Sequence, residues 1–152
     1  MKKLLHTLTA TPALTAPLFL RLSLAVVFFP HGAQKVLGWY GGFGFHNTVG
    51  FFTTQMGLPY ALAVLPILTE FLAPFALLFG FFTRLAALAL FVNMFVAMTL
   101  VHWQNGFFMN WMNAQKGEGI EYFLLVFGLT LALVIQGAGR FSLDKVIGEK
   151  TA

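Results

Sequence analysis

Glu70 stands in the apolar run Leu58 to Gly80 of a chain with nine basic and five acidic residues among 152. A carboxylate at membrane depth is costly, so it is normally paired, protonated or working. As chemistry it can carry a proton or act as a counter-ion. Four further groups could act beside it: His31, Lys35, His102 and Glu121. An imidazole can donate to a quinone carbonyl and supply a proton as the ring is reduced, and an ammonium attracts an anion. Glu70 and His102 are therefore the candidate catalytic residues, with His31, Lys35 and Glu121 as candidate ligand-binding residues. The competing reading is structural: Lys35 pairs at the membrane edge with Glu118 or Glu121, a pair worth little where exposed. His31 and His102 could also be axial ligands of one b-type haem. One such pair with no second His at bundle depth disfavours it, and no metal site is read.

The elements that position these residues follow from composition. The chain is 59% hydrophobic, with nineteen Phe and a mean hydropathy of +0.81, far above a soluble domain. At roughly 20 residues per spanning helix, four spans read off near 14–37, 58–79, 84–103 and 119–136. The expected fold is all-α, a single integral membrane four-helix bundle over residues 1–152. Pro17 suits a first helical turn, Pro30 should kink the first span, and Pro74 has no N–H for the carbonyl of Glu70. Residues 38–57, rich in Gly and aromatics, suit a lid or an interfacial loop. Gly128 and Ala132 form a small-xxx-small pair in the fourth span that allows close helix approach.

Arg21, Leu24, Phe28, His31 and Lys35 follow one helical face. Counted from the span ends, Arg21, Glu70 and Asn93 all lie at roughly 10 to 15 Å depth at 1.5 Å per residue. That shared layer makes an Arg21–Glu70 pair the expectation, with Asn93 bonding between helices. Arg21, Asn93 and Arg84 are read as structural polar residues, and His31, Lys35, His102 and Glu121 as an outer layer. Asn93 and His102, nine residues apart, fall about half a turn out of phase.

Lys2, Lys3, Arg84, Arg140, Lys145 and Lys150 flank the spans on one side, against Lys35 and Lys116 on the other. This asymmetry is an orientation signal that places both termini in the cytoplasm, rather than a nucleic-acid-binding patch. All Trp and Tyr, among them Tyr122, fall near the outer interface. Lys2 and Lys3 before an apolar stretch look like a signal peptide, but Arg21 inside that stretch argues against cleavage. With no cysteine, the chain holds no iron–sulfur cluster and does no thiol exchange.

The blocks Arg21…His31-Gly32-Ala33-Gln34-Lys35, Met56-Gly57-Leu58-Pro59, Glu70, Gly80-Phe81-Phe82-Thr83-Arg84-Leu85-Ala86-Ala87, His102-Trp103, Gly119-Ile120-Glu121-Tyr122 and Gly137-Ala138-Gly139-Arg140-Phe141-Ser142-Leu143-Asp144 resemble, in order and spacing, the DoxX family. The resemblance implies a small four-helix protein of the bacterial inner membrane. The family takes its name from a subunit of an archaeal thiosulfate:quinone oxidoreductase, and another member resembles a membrane partner of detoxifying enzymes. The implied function is a membrane subunit of an oxidoreductase assembly that handles quinone or a small anion. Its partners would be the lipid bilayer, a redox protein and a second copy of the chain, with no nucleic acid. Two other readings stand beside it: a non-catalytic anchor for partner proteins, and a small transporter or proton-coupled carrier.

Overall fold

The computed structural model describes residues 2–151 and contains, among them, helices and no strand. The helices are α1 (Lys2–Thr9), α2 (Ala16–Leu37), α3 (Gly44–Thr54), α4 (Tyr60–Phe79), α5 (Thr83–Ala97), α6 (Glu121–Gln136) and α7 (Leu143–Thr151). Helix α5 runs on through a π turn at Met98–His102 and a 3-10 turn at Trp103–Asn105. Three of these segments are long and apolar enough to cross a membrane: Ala16–Leu37, Tyr60–Phe79 and Thr83–Asn105. Helix α6 is equally apolar but has 16 residues, about 24 Å against a hydrocarbon core of about 30 Å.

Helices α2 and α4 pack closely, α5 lies against α4 and α6, and α6 closes back on α2. Leu24, Phe28, Leu77, Leu90, Phe123 and Leu133 belong to the buried core they share. The opposite faces carry exposed Val26, Leu65, Leu72, Leu125 and Ile135. Such an apolar girdle is unstable in water and suits lipid, where helices satisfy their own backbone bonds. The architecture is an all-α, membrane-type bundle.

Residues 38–57 depart from the expected loop. After a 3-10 turn at Trp39–Gly41 the chain forms α3, whose Val49 packs with Ala63 and Ile67 of α4. A helix of 11 residues with seven Phe, Val or Thr positions has little intrinsic propensity. The tertiary contact stabilises it.

Close approach sets one glycine in each half of the bundle. A Cβ on Gly32 would strike the backbone carbonyl of Glu70, so α2 and α4 could not meet there with any larger residue. That carbonyl is the one Pro74 leaves without its helical N–H, and it rests against the Gly32 backbone. At the α4–α5 turn, Gly80 has φ 64° and lies so near the Arg21 guanidinium that a Cβ would fall 2.5 Å from Nη1.

Candidate functional site in the bundle core

Glu70 is almost fully buried and is held from two sides. Lys35 Nζ of α2 donates to Oε2, and Asn93 Nδ2 of α5 donates to Oε1 at 3.1 Å. The pair is not sealed, because the Lys35 side chain is 26% exposed while that of Glu70 is 8% exposed. His31, one turn before Lys35, is exposed at the bundle surface and lies within Coulombic range of both charges. From α6, the Tyr122 hydroxyl reaches within range of Glu70 as well. Its oxygen is buried and has no hydrogen-bond partner. Four helices thus deliver an acid, a base, an amide, an imidazole and a phenol to one locality.

The expected Arg21–Glu70 pair does not form, for a reason rooted in helix geometry. Every Cα–Cβ bond tilts toward the N-terminus of its helix. Helices α2 and α4 are antiparallel, so the Lys35 side chain leans back into the bundle while that of Glu70 leans toward the end where α4 begins. The two lean toward each other. Arg21 leans the opposite way, toward the end where α4 finishes, and is fully buried there. Its Nη1 donates to the carbonyls of Leu77 at 2.8 Å and Leu78 at 3.3 Å, and Nη2 donates to Phe141 at 2.5 Å. A cation on the last carbonyls of a helix satisfies orphan acceptors and meets the negative end of the macrodipole.

Arg84 does the same for α6. Its Nη1 donates to the carbonyls of Val134 and, at 2.7 Å, Ile135, while Nη2 reaches Ala10 at 3.2 Å. Asp144 completes this end by capping α5 from a distance. Its carboxylate accepts the N–H groups of Phe82 at 2.7 Å and Thr83 at 2.8 Å. Sequence reasoning left that cap unassigned. The spacing of 62 residues hides it, although a buried Asp beside a helix start has this use.

The outer layer splits in two. His31 and Lys35 join Glu70, whereas His102 and Glu121 hold the connection between α5 and α6. His102 Nδ1–H donates to the Glu118 carbonyl at 3.0 Å, and its ring lies 4.7 Å from that of Phe123. Glu121 accepts the Met109 N–H at 2.8 Å, and Glu118 accepts that of Asn110 at 2.6 Å. Lys35 therefore pairs with neither Glu118 nor Glu121. Asn93 and His102 have separate partners and share no cavity, as their phase on the helix requires.

The DoxX family model matches residues 16–103. The chain belongs to the DoxX family. It is similar to the inner membrane protein YqjF of Escherichia coli (strain K12), 28% identical over 135 residues that cover 86% of this chain and 90% of that protein. It is also similar to an uncharacterized protein of Haemophilus influenzae (strain ATCC 51907 / DSM 11121 / KW20 / Rd), 30% identical over 138 residues that cover 86% of this chain and 82% of the relative. No solved structure matches the chain. The DoxX match runs from the start of α2 through the π turn, so it includes Arg21, His31, Lys35, Glu70, Arg84, Asn93 and His102. Glu121, Tyr122 and Asp144 of this DoxX protein lie beyond it.

Proposed function

We propose that this protein is a membrane subunit of an oxidoreductase assembly and that it handles a quinone at the Lys35–Glu70–Asn93 cluster. The observation that supports the reading most is a buried carboxylate held by an ammonium and an amide, beside an imidazole open to the bilayer surface. Quinones travel in the hydrocarbon and would approach from the side, where His31 is exposed. Reduction to the quinol takes two electrons and two protons. This chain supplies groups for the protons: His31 at the surface, and the Lys35–Glu70 pair behind it as the store that reprotonates it. Electrons would come from a redox partner, since no cysteine is present to hold an iron–sulfur cluster.

The protein would cross the bacterial inner membrane four times. The end of the bundle that gathers α1, α7 and the α4–α5 turn also gathers Lys2, Lys3, Arg84, Lys145 and Lys150. By the positive-inside bias that end, with both termini, faces the cytoplasm. The name of the Escherichia coli relative, an inner membrane protein, agrees with an inner-membrane location. A short α6 is compatible with spanning because the 106–120 connection satisfies its own backbone, through Glu118, Glu121 and the bonds of Gly119 and Ile120 to Phe108 and Gly106. One observation favours the anchor reading: that connection is fastened internally while Phe108, Trp111 and Met112 project from it, strongly exposed. Such a rigid apolar display suits a partner protein.

The test is to titrate the protein in lipid nanodiscs with decylubiquinone and a menaquinone analogue, alongside Lys35→Gln and Glu70→Gln. Saturable binding by the wild type that falls about tenfold or more in both variants, as expected where a charge-assisted bond is lost, supports the reading. Absence of saturable binding by the wild type overturns it and leaves the anchor.

A further inference from the structure

A cleft of about 570 Å3, within the range of small-molecule sites, opens where the continuation of α5 meets the connection to α6. Val101, His102, Gln104 and Asn105 line it from the first segment, and Lys116, Gly117 and Glu118 from the second. The two segments are locked together. The Glu118 carbonyl accepts the His102 Nδ1–H at 3.0 Å and an Asn105 Nδ2–H at 3.1 Å. Gly117 lets that amide approach, since a Cβ there would fall 2.7 Å from its nitrogen. His102 closes the π turn at Met98–His102, and such turns are rare and frequent at functional sites.

The polar groups of the cleft do not neutralise one another. Lys116 and Glu118 bring opposite charges into it, yet the ion pairs among the described residues are Lys35–Glu70 and Lys145–Glu149. The Glu118 carboxylate is fixed in place by the Asn110 N–H at 2.6 Å. His102 spends its Nδ1–H on the carbonyl, which leaves Nε2 as an acceptor. A simple anion would meet Glu118, and a simple cation would meet Lys116. A zwitterion satisfies both. The depth of the cleft names a source: the apolar segment Thr83–Asn105 ends there, with Trp103 strongly exposed beside it, as aromatic rings are at the headgroup level. Exposed Val92, Val96 and Leu100 recur at intervals of four along α5, an apolar stripe that leads to Val101 and suits an acyl chain.

Independently of the quinone reading, we propose that this cleft is a phospholipid site selective for a headgroup that carries a primary ammonium and a phosphate, as in phosphatidylethanolamine. The ammonium donates to the Glu118 carboxylate and to His102 Nε2, while the phosphate accepts from Lys116 and from the Gln104 amide. A choline headgroup has the same charges but no N–H to donate. A glycerol headgroup has no cation, so its phosphate would share the cleft with an uncompensated Glu118.

Native mass spectrometry of the full chain in detergent tests this, by titration with phosphatidylethanolamine, phosphatidylcholine and phosphatidylglycerol of the same acyl chains. The wild type should bind phosphatidylethanolamine at least about threefold more tightly than the other two, as charge-assisted contacts near the surface allow. Glu118→Gln keeps an oxygen for the Asn110 N–H. It should bring phosphatidylethanolamine down to the level of phosphatidylcholine and leave phosphatidylcholine binding unchanged. Lys116→Gln should weaken all three lipids. Free phosphoethanolamine at the same concentration should not displace the lipid; displacement would assign the cleft to a soluble zwitterion and overturn the lipid site. A further measurement uses the wild type alone. In 15N-histidine-labelled protein in nanodiscs, the His102 Nε2 resonance should move when phosphatidylcholine is replaced by phosphatidylethanolamine. No preference for phosphatidylethanolamine, a preference that survives in Glu118→Gln, or an unmoved His102 resonance overturns the proposal and leaves the quinone reading in place.

Discussion

The two ends of the polar system use buried charge in opposite ways. Toward the end that holds the α4–α5 turn, Arg21, Arg84 and Asp144 each meet backbone: two guanidinium groups on helix C-termini and one carboxylate on a helix N-terminus. In the core, Lys35 and Glu70 meet each other, with Asn93 alongside and His31 and Tyr122 near. Backbone partners are fixed and do not titrate, so the first arrangement can only hold the fold. Side-chain partners can exchange, move or change protonation, so the second can respond to a ligand. A charged residue in a membrane helix is thus a functional signal chiefly when its partner is another side chain.

Substitutions can break this contrast. The largest expected effect is at Arg21, which joins α2 to the end of α4 and to Phe141. Arg21→Leu should cost about 3 to 5 kcal/mol, because carbonyls buried with the guanidinium lose their donors together. Reversible unfolding in mixed micelles measures it, and a loss below 1 kcal/mol would show that the clamp does not hold the fold. Glu70→Gln should come next, at about 2 to 3 kcal/mol, since Lys35 is stranded but can turn toward solvent. Lys35→Met and Glu70→Met combined should cost less than the sum of the single changes. Additive losses in that cycle would mean that the two charges do not interact. The smallest effect is expected for His102→Ala, under about 1 kcal/mol, with quinone binding unchanged, as its partners lie in the 106–120 connection. Loss of quinone binding in a well-folded His102→Ala protein would return His102 to the site.

The bundle itself was legible because long apolar runs report helices directly: the expected 58–79 and the observed Tyr60–Phe79 differ by two residues. The matched depth of Arg21 and Glu70 was legible as well, yet it misled. Depth counted along the backbone ignores side chains that are several ångströms long and tilted, and between antiparallel helices that tilt decides which residues meet. Helix α3 escaped notice because its glycines and aromatics resemble loop composition. Tyr122 was read as an interfacial ring because aromatic belts are the common case. It does lie in the first turn of α6, half-buried, and what the composition did not give is that its ring packs on the core with its hydroxyl buried. The Asp144 cap and the Gly32 contact depend on chain segments that only the folded state brings together.

The Arg21 clamp also bears on how the protein is made. Its acceptors lie 56, 57 and 120 residues further along the chain. The first long helix therefore enters the bilayer with a guanidinium that has no protein acceptor, and it stays so until α4 has followed. Only when Phe141 has left the ribosome can the last of the three bonds close. Until then lipid phosphate and interfacial water are the acceptors within reach, so the bonds that tie the first helix to the rest of the bundle are among the last that synthesis allows to close.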